Sequence, residues 1–218
     1  MGLKKILSIF LIINLITIVF SLNIDQTKKQ IQVLEKWVAY DQTDHQSRSK
    51  LAEIYEDLGD KESLDRAKEL YEEAFRIENK PYYHLKYGSL LIKISNYQWF
   101  PPSKMWYIIS GYTEMEDVIE REDKLEYRFI RAESCFTSSN SFCLGIASED
   151  YNHIIINYKD GEIEEEIEKI KYKLGLVYEK QKKYEKAIQI YEHLISEDIS
   201  PEMRTEIIDR IDILQRVK

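Results

Sequence analysis

At 218 residues the chain is long enough for one sizeable domain or one elongated array, and with only 7 Gly and 4 Pro it is too poor in turn formers for a β-rich fold. A formal charge of -8 with no basic stripe excludes nucleic acid as a partner, because phosphate neutralisation supplies most of that affinity. Charged residues make up 32% of the chain and run in long Glu/Lys-rich stretches, the composition of exposed helical faces.

Residues 1–22 read as a separate object. Lys4 and Lys5 precede an apolar run from Ile6 to Phe20, broken only by Ser8, Asn14 and Thr17. This is the order of a secretory leader, with a cleavage point after Ser21. At fifteen residues the run is slightly short of the ~20 of a comfortable membrane span. Three readings stand: a cleaved signal, a retained anchor, or a buried helix. The first two place everything after Leu22 outside the cytoplasm, periplasmic or membrane-anchored, since the lysine pair stays inside. Membrane contact is then expected only through this segment, where it is uncleaved. No Cys lies nearby to carry a lipid. A bias toward Ile, Lys, Asn and Tyr hints at an AT-rich bacterial genome.

Residues 23–218 read as one repeating domain. From Asp25 to Tyr40, the pattern Ile31, Leu34, Trp37, Val38 predicts an amphipathic helix able to cover the first hairpin of the array. A small-large-medium triplet then recurs at i, i+4, i+7 as Ala67/Tyr71/Ala74, Gly111/Met115/Val118, Ala147/Tyr151/Ile154 and Ala187/Tyr191/Leu194. Each is preceded by a second small-residue pattern: Ala52 with Tyr55, Gly88 with Leu91, Ala132 with Cys135, and Gly175 with Tyr178. Small residues let two helices approach closely, and a neighbouring aromatic fills the remaining groove. The pairs therefore predict antiparallel hairpins over about 47–80, 81–121, 123–158 and 162–200. Ser110 competes with Gly111 for the small position of the second. A last helix over 201–217 is entered through Ser200 as N-cap and Pro201 at the first helical position, with Ile208, Ile211 and Leu214 facing inward.

This unit resembles the tetratricopeptide-repeat family, a helix-turn-helix of about 34 residues. The stretch from Leu174 to about Ser200 matches the family pattern without a gap, including Tyr184 before the second helix; about Ser47 to Lys80 matches after a small insertion. The resemblance implies an all-α, right-handed antiparallel helix-hairpin solenoid of about four repeats with N- and C-terminal capping helices. It also implies a non-catalytic protein–protein interaction scaffold that holds a peptide or partner helix in a concave groove lined by first helices. Ala147 to Ile195 is further similar to envelope-type repeats of bacterial outer-membrane assembly and cell-division coordination proteins, entered through the acidic turn Asp160-Gly161-Glu162. Some family members grip a C-terminal carboxylate with a Lys/Asn/Arg clamp. The corresponding positions, including Ser49, Glu53, Phe129, Glu133, Tyr172 and Leu176, do not reproduce it.

Catalytic constellations are not evident. His45, His84, His153 and His193 lack metal-type spacing, and there is no phosphate-binding Gly-rich loop or nucleophile motif. No enzyme activity, cofactor or metal is expected. Glu164, Glu165 and Glu166 read as a solvated helix start. The largest insertion carries Tyr97, Trp99, Phe100, Trp106 and Tyr107. These rings either fill the gap left by a longer turn or stand exposed as a partner-binding anchor. Stacking of the same rings on peptidoglycan or another glycan is the alternative function. Cys135 and Cys143 flank the Ser/Asn-rich turn of the third hairpin. In an exported protein they are disulfide candidates; the competing reading is two thiols buried where helices cross.

Overall fold

A computed structural model describes residues 25–138, 140–159 and 166–217. The leader, the acidic turn Asp160-Gly161-Glu162, Glu164 and Glu165 lie outside the described residues. All regular structure among the described residues is α-helical. In chain order the helices are α1 (25–40), α2 (His45–Leu58), α3 (Lys61–Ile77), α4 (Pro81–Ser95), α5 (Pro101–Arg121), α6 (Leu125–Phe136), α7 (Ser141–Asn157), α8 (Ile167–Lys180), α9 (Tyr184–Ile195) and α10 (Pro201–Val217). This is the all-α, helical-repeat class. The chain divides into two compact units, one ending at Asn79 and one beginning at Lys80.

In the first unit, Gly59 adopts the left-handed conformation (φ 74) that ends α2, and the Asp60 carboxylate then caps α3 by accepting from the Ser63 backbone N–H at 3.0 Å. A turn this short folds α3 back on α2, burying Leu51 and Ala52 on one helix and Ala67, Leu70, Tyr71 and Ala74 on the other. Arg48 is buried yet satisfied. It donates to Glu73 of α3 at 3.0 Å and to the backbone carbonyls of Asp41 and Asp44 at 3.2 and 2.9 Å, fastening the α1–α2 connection to the hairpin.

Helix α1 lies on α2 by the expected stripe, except at Trp37. The Tyr55 hydroxyl donates to Glu35 at 2.9 Å, so Glu35 faces α2. At about 100° per residue, that turns Leu34 and Val38 toward the hairpin and Trp37 away from it. Val38 is buried, Leu34 and Ile31 are half-buried, and Trp37 is exposed with its ring edge-on to Tyr40 at 6.2 Å.

In the second unit, α4–α5, α6–α7 and α8–α9 are successive hairpins and α10 packs on α9. The α4–α5 crossing is backbone on backbone. A Cβ placed on Gly88 would lie 2.6 Å from the carbonyl oxygen of Gly111, and one on Gly111 would meet the carbonyl oxygen of Gly88. Gly111, not Ser110, is therefore the small residue of this hairpin. The last hairpin uses its small residue differently: Gly175 makes room for the Tyr191 ring, which lies directly against its Cα. The Tyr191 hydroxyl, carried into the core, donates to Glu179 of α8. In the middle hairpin the Tyr151 hydroxyl donates to Glu133 of α6 in the same way.

A buried ionic cluster joins three helices of this unit. Asp150 of α7 has no exposed surface and accepts from Arg131 of α6 through Nε at 2.7 Å and Nη2 at 2.8 Å, and from Arg128 at 3.0 Å. Arg131 also pairs with Glu116 of α5, and its guanidinium lies 5.6 Å from the centre of the Tyr112 ring. Removing one member would leave a buried charge without its partner, a loss typically of ~3–5 kcal/mol.

The terminal helix is capped as expected, the Ser200 hydroxyl accepting from the Met203 backbone N–H at 3.2 Å. Its inner stripe differs by one residue. Ile207, Ile211 and Leu214 are buried, while Ile208 is 45% exposed. Ile207 and Leu214 lie on the same side of Ile211, about 40° and 60° round the helix, and Ile208 lies about 60° to the other side. The stripe that includes both Ile207 and Leu214 is the narrower one.

The glycines separate two effects of opposite sign. Gly88→Ala must push backbone against backbone and should lower stability by ~1–3 kcal/mol. Gly145 of α7 has nothing within 4 Å of an added Cβ, so Gly145→Ala should raise stability by ~0.5–1 kcal/mol through helix propensity alone. Urea midpoints of the two variants check both; an unchanged midpoint for Gly88→Ala would mean the helices do not touch there.

Candidate partner-binding site

The repeat-packing residues come first because they fix what remains outside. Ala52, Ala67, Tyr71, Gly88, Gly111, Ala132, Ala147, Tyr151, Gly175, Ala187 and Tyr191 are all buried, and Tyr55 and Tyr178 are half-buried. They hold the hairpins together and are not accessible to a partner. The surfaces left over include the exposed sides of the first helices and the α4–α5 connection.

The α4–α5 connection is a tight turn. The Ser95 hydroxyl donates to the Ile92 carbonyl at 2.6 Å, and the Tyr97 and Gln98 backbone N–H groups donate back to Ile94 and Ser95 at 3.0 and 3.1 Å. Pro101 and Pro102 then open α5 at the positions where a missing N–H costs nothing. From Pro101 to the Gly111 crossing α5 runs ten residues, whereas α4 runs only seven from Gly88 to Ser95. The first turn of α5 therefore overhangs its partner by about three residues, or ~4.5 Å.

The overhang sets the fate of the aromatic insertion. Trp99 is 90% exposed, Trp106 60%, Phe100 50% and Tyr97 48%, while Tyr107 is half-buried. Tyr107 is the most buried of the five. The others form an aromatic edge, with the Trp99 and Phe100 ring centres 5.7 Å apart and those of Trp106 and Tyr107 5.1 Å apart. Met105 and Ile109 extend the edge along α5, both exposed, at helical spacing from Pro102 and Trp106. Neither is among the residues expected from the sequence. Their signal is present there as an apolar stripe on the face opposite Ile108, Gly111 and Met115.

On the first helices, α6 and α8 contribute to one surface. Lys173 of α8 lies 5.1 Å from the centre of the Phe129 ring and 3.0 Å from Glu133, both on α6. Lys180 donates to the Phe136 carbonyl at 2.8 Å with its ammonium 4.0 Å from the ring centre, and the burial this entails lowers its pKa. Tyr172 donates to Glu206 of α10 and accepts from Arg210 Nε at 2.7 Å. Burial, with the hydrogen bond to Glu206, pushes the Tyr172 phenol up to about 12, so it stays a neutral donor across the physiological range. Arg210 also reaches Glu179 at 3.2 Å, which fixes the last helix to the first helix of the last repeat.

The first unit offers an open groove of about 640 Å³ between α1 and α2, lined by Lys29, Val33, Leu34, Glu53, Ile54 and Asp57 among others. Among the described residues no group of three His, Cys, Asp or Glu side chains could hold a metal ion, and no helix is long and apolar enough to cross a membrane.

Residues 168–198 match the family model of the tetratricopeptide repeat. The match spans nearly all of α8 and α9, the hairpin whose pattern runs without a gap. Tetratricopeptide repeats in general mediate binding of protein partners and are typically non-catalytic. No curated protein matches the chain.

Cys135 and Cys143 are thiols in this structure, both buried in the core that joins α6 and α7. A side-chain hydrogen bond between them raises the Cys135 pKa, with burial adding to it, and lowers that of Cys143, which Ser138 also helps. Buried thiols in both positions predict that unfolded, non-reduced protein isolated from its native compartment labels two thiols per chain; labelling of none would show the pair to be bonded there.

Proposed function

We propose that the chain is an exported scaffold of the bacterial cell envelope that holds a peptide or helix of a protein partner against the first helices of its repeats. The observation that carries this reading is the α6–α8 surface, where Phe129 and Glu133 of one repeat interlock with Lys173 of the next. Rings with charged groups among them can offer a partner helix both apolar area and orienting hydrogen bonds. The matched repeat supplies Lys173 of this surface, and repeats of this kind in general bind proteins. The lysine pair and apolar run of residues 1–22 support export, and the similarity of Ala147 to Ile195 to envelope-type repeats supports a place in the cell envelope. A second reading, glycan binding, is favoured by the exposure of Trp99 and Trp106.

Two measurements test the proposal. A photoreactive amino acid placed at Phe129 or Leu176 should cross-link one protein partner in cells, whereas one at Ile156, 79% exposed on α7, should not. Cross-linking from Ile156 alone would place the partner elsewhere. Mass spectrometry should find the mature N-terminus near Leu22 or the intact chain in the membrane fraction; a cytoplasmic protein beginning at Met1 would refute export.

A further inference from the structure

We propose that the aromatic edge of α5 enters the headgroup region of a phospholipid bilayer, so that the domain meets a membrane through its own folded surface as well as through its leader. The edge is formed by Trp99, Phe100, Met105, Trp106 and Ile109, all exposed. Contiguous exposed apolar surface marks a binding face, and its chemistry selects the partner. Trp and other amphipathic rings favour the boundary between water and hydrocarbon, where the ring body is apolar and its polar atom stays wet.

Charge makes the same selection. From Asn96 to Thr113 the only charged residue is Lys104, in a chain whose net charge is -8. This stretch can approach anionic headgroups without repulsion from its own carboxylates, and Lys104, four residues before Ile108, lies toward the inner face of α5 rather than on the edge. A sugar or a peptide backbone needs hydrogen-bonding partners around the stacking rings, and Lys104, Gln98 and Ser103 are few for that purpose. Gln98 and Ser103 are in addition hydrogen-bonded to each other at 3.3 Å. The edge is also preorganised. Pro101 and Pro102 fix the backbone, and the overhang keeps the rings clear of α4, so insertion requires no unfolding.

The inference rests on the export reading only for the presence of a bilayer beside the domain. Its test is independent of that reading. The chain has 3 tryptophans, so in full-length protein carrying Trp37→Phe the tryptophan emission, excited selectively over tyrosine, comes from Trp99 and Trp106 alone. With phosphatidylglycerol vesicles that contain brominated acyl chains, this emission should shift to shorter wavelength and be quenched. Quenching should be lost when Phe100, Met105 and Ile109 are replaced by Ser, substitutions at exposed positions whose folding circular dichroism verifies. In the complementary chain, Trp99→Phe with Trp106→Phe, Trp37 should remain unquenched, which shows that tethering by the leader does not produce the signal. Vesicle-bound protein with unshifted, unquenched Trp99 and Trp106 overturns the proposal. So does a shift produced by soluble peptidoglycan fragments and not by vesicles, which would assign the edge to sugar stacking. A Met1 N-terminus in the cytoplasm together with full quenching would refute export and leave the lipid contact standing.

Discussion

The second unit is organised by how closely the two helices of a hairpin can approach. At Gly88 and Gly111 the approach is limited first by main-chain carbonyl oxygens and then by the Met115 and Ile92 side chains, and at Gly175 by the ring of Tyr191. Once those contacts are made, the azimuth of each helix is fixed, because residues four and seven positions on must lie on the same face. Met115 and Val118 after Gly111, and Tyr191 and Leu194 after Ala187, are buried for this reason. The outer face is then determined as the complement. Neither the aromatic edge of α5 nor the Phe129–Lys173 surface could be placed without it.

Polar contacts add a second kind of specification. An apolar seam tolerates sliding by a turn at modest cost, whereas Asp150, wholly buried, has one geometry in which both oxygens are satisfied. Arg128 and Arg131 supply it from successive turns of α6, and Glu116 extends the cluster to α5. Arg48 does the same for the first unit, and Arg210 for the end of the second. Such clusters add little net stability relative to an apolar core of equal volume. Their contribution here is register.

These two kinds of contact differ in how far the sequence discloses them. The small-large-medium triplets were legible because glycine or alanine with a large residue at i+4, repeated along the chain, is the mark of helices that cross closely. Ser200-Pro201 was legible because capping is local. Trp37 and Ile208 were misplaced since each adjoins a true core residue, and a stripe of four apolar residues is compatible with two azimuths until a partner fixes one. Tyr55 and Glu35 fix it for α1, a pairing across twenty residues that no periodicity reveals. Asp150 was passed over because an acid within a helix is ordinarily a solvated one. The arginines that bury it lie 19 and 22 positions away.

The aromatic insertion shows how a site can follow from a packing rule. Both of its readings, core filler and exposed anchor, predict the same residues in the sequence. The distinction lies in helix length on either side of one crossing. Because α5 begins ten residues before Gly111 and α4 ends seven after Gly88, the extra turn has no helix of its own hairpin beside it. Ile108, nearer the crossing, is fully buried, and Trp106, nearer the helix start and on the other face, is 60% exposed. Shortening α5 by its first turn would bring the chain into line with α4 and remove the edge while leaving the glycine contact intact. The adhesive surface is thus separable from the scaffold that presents it.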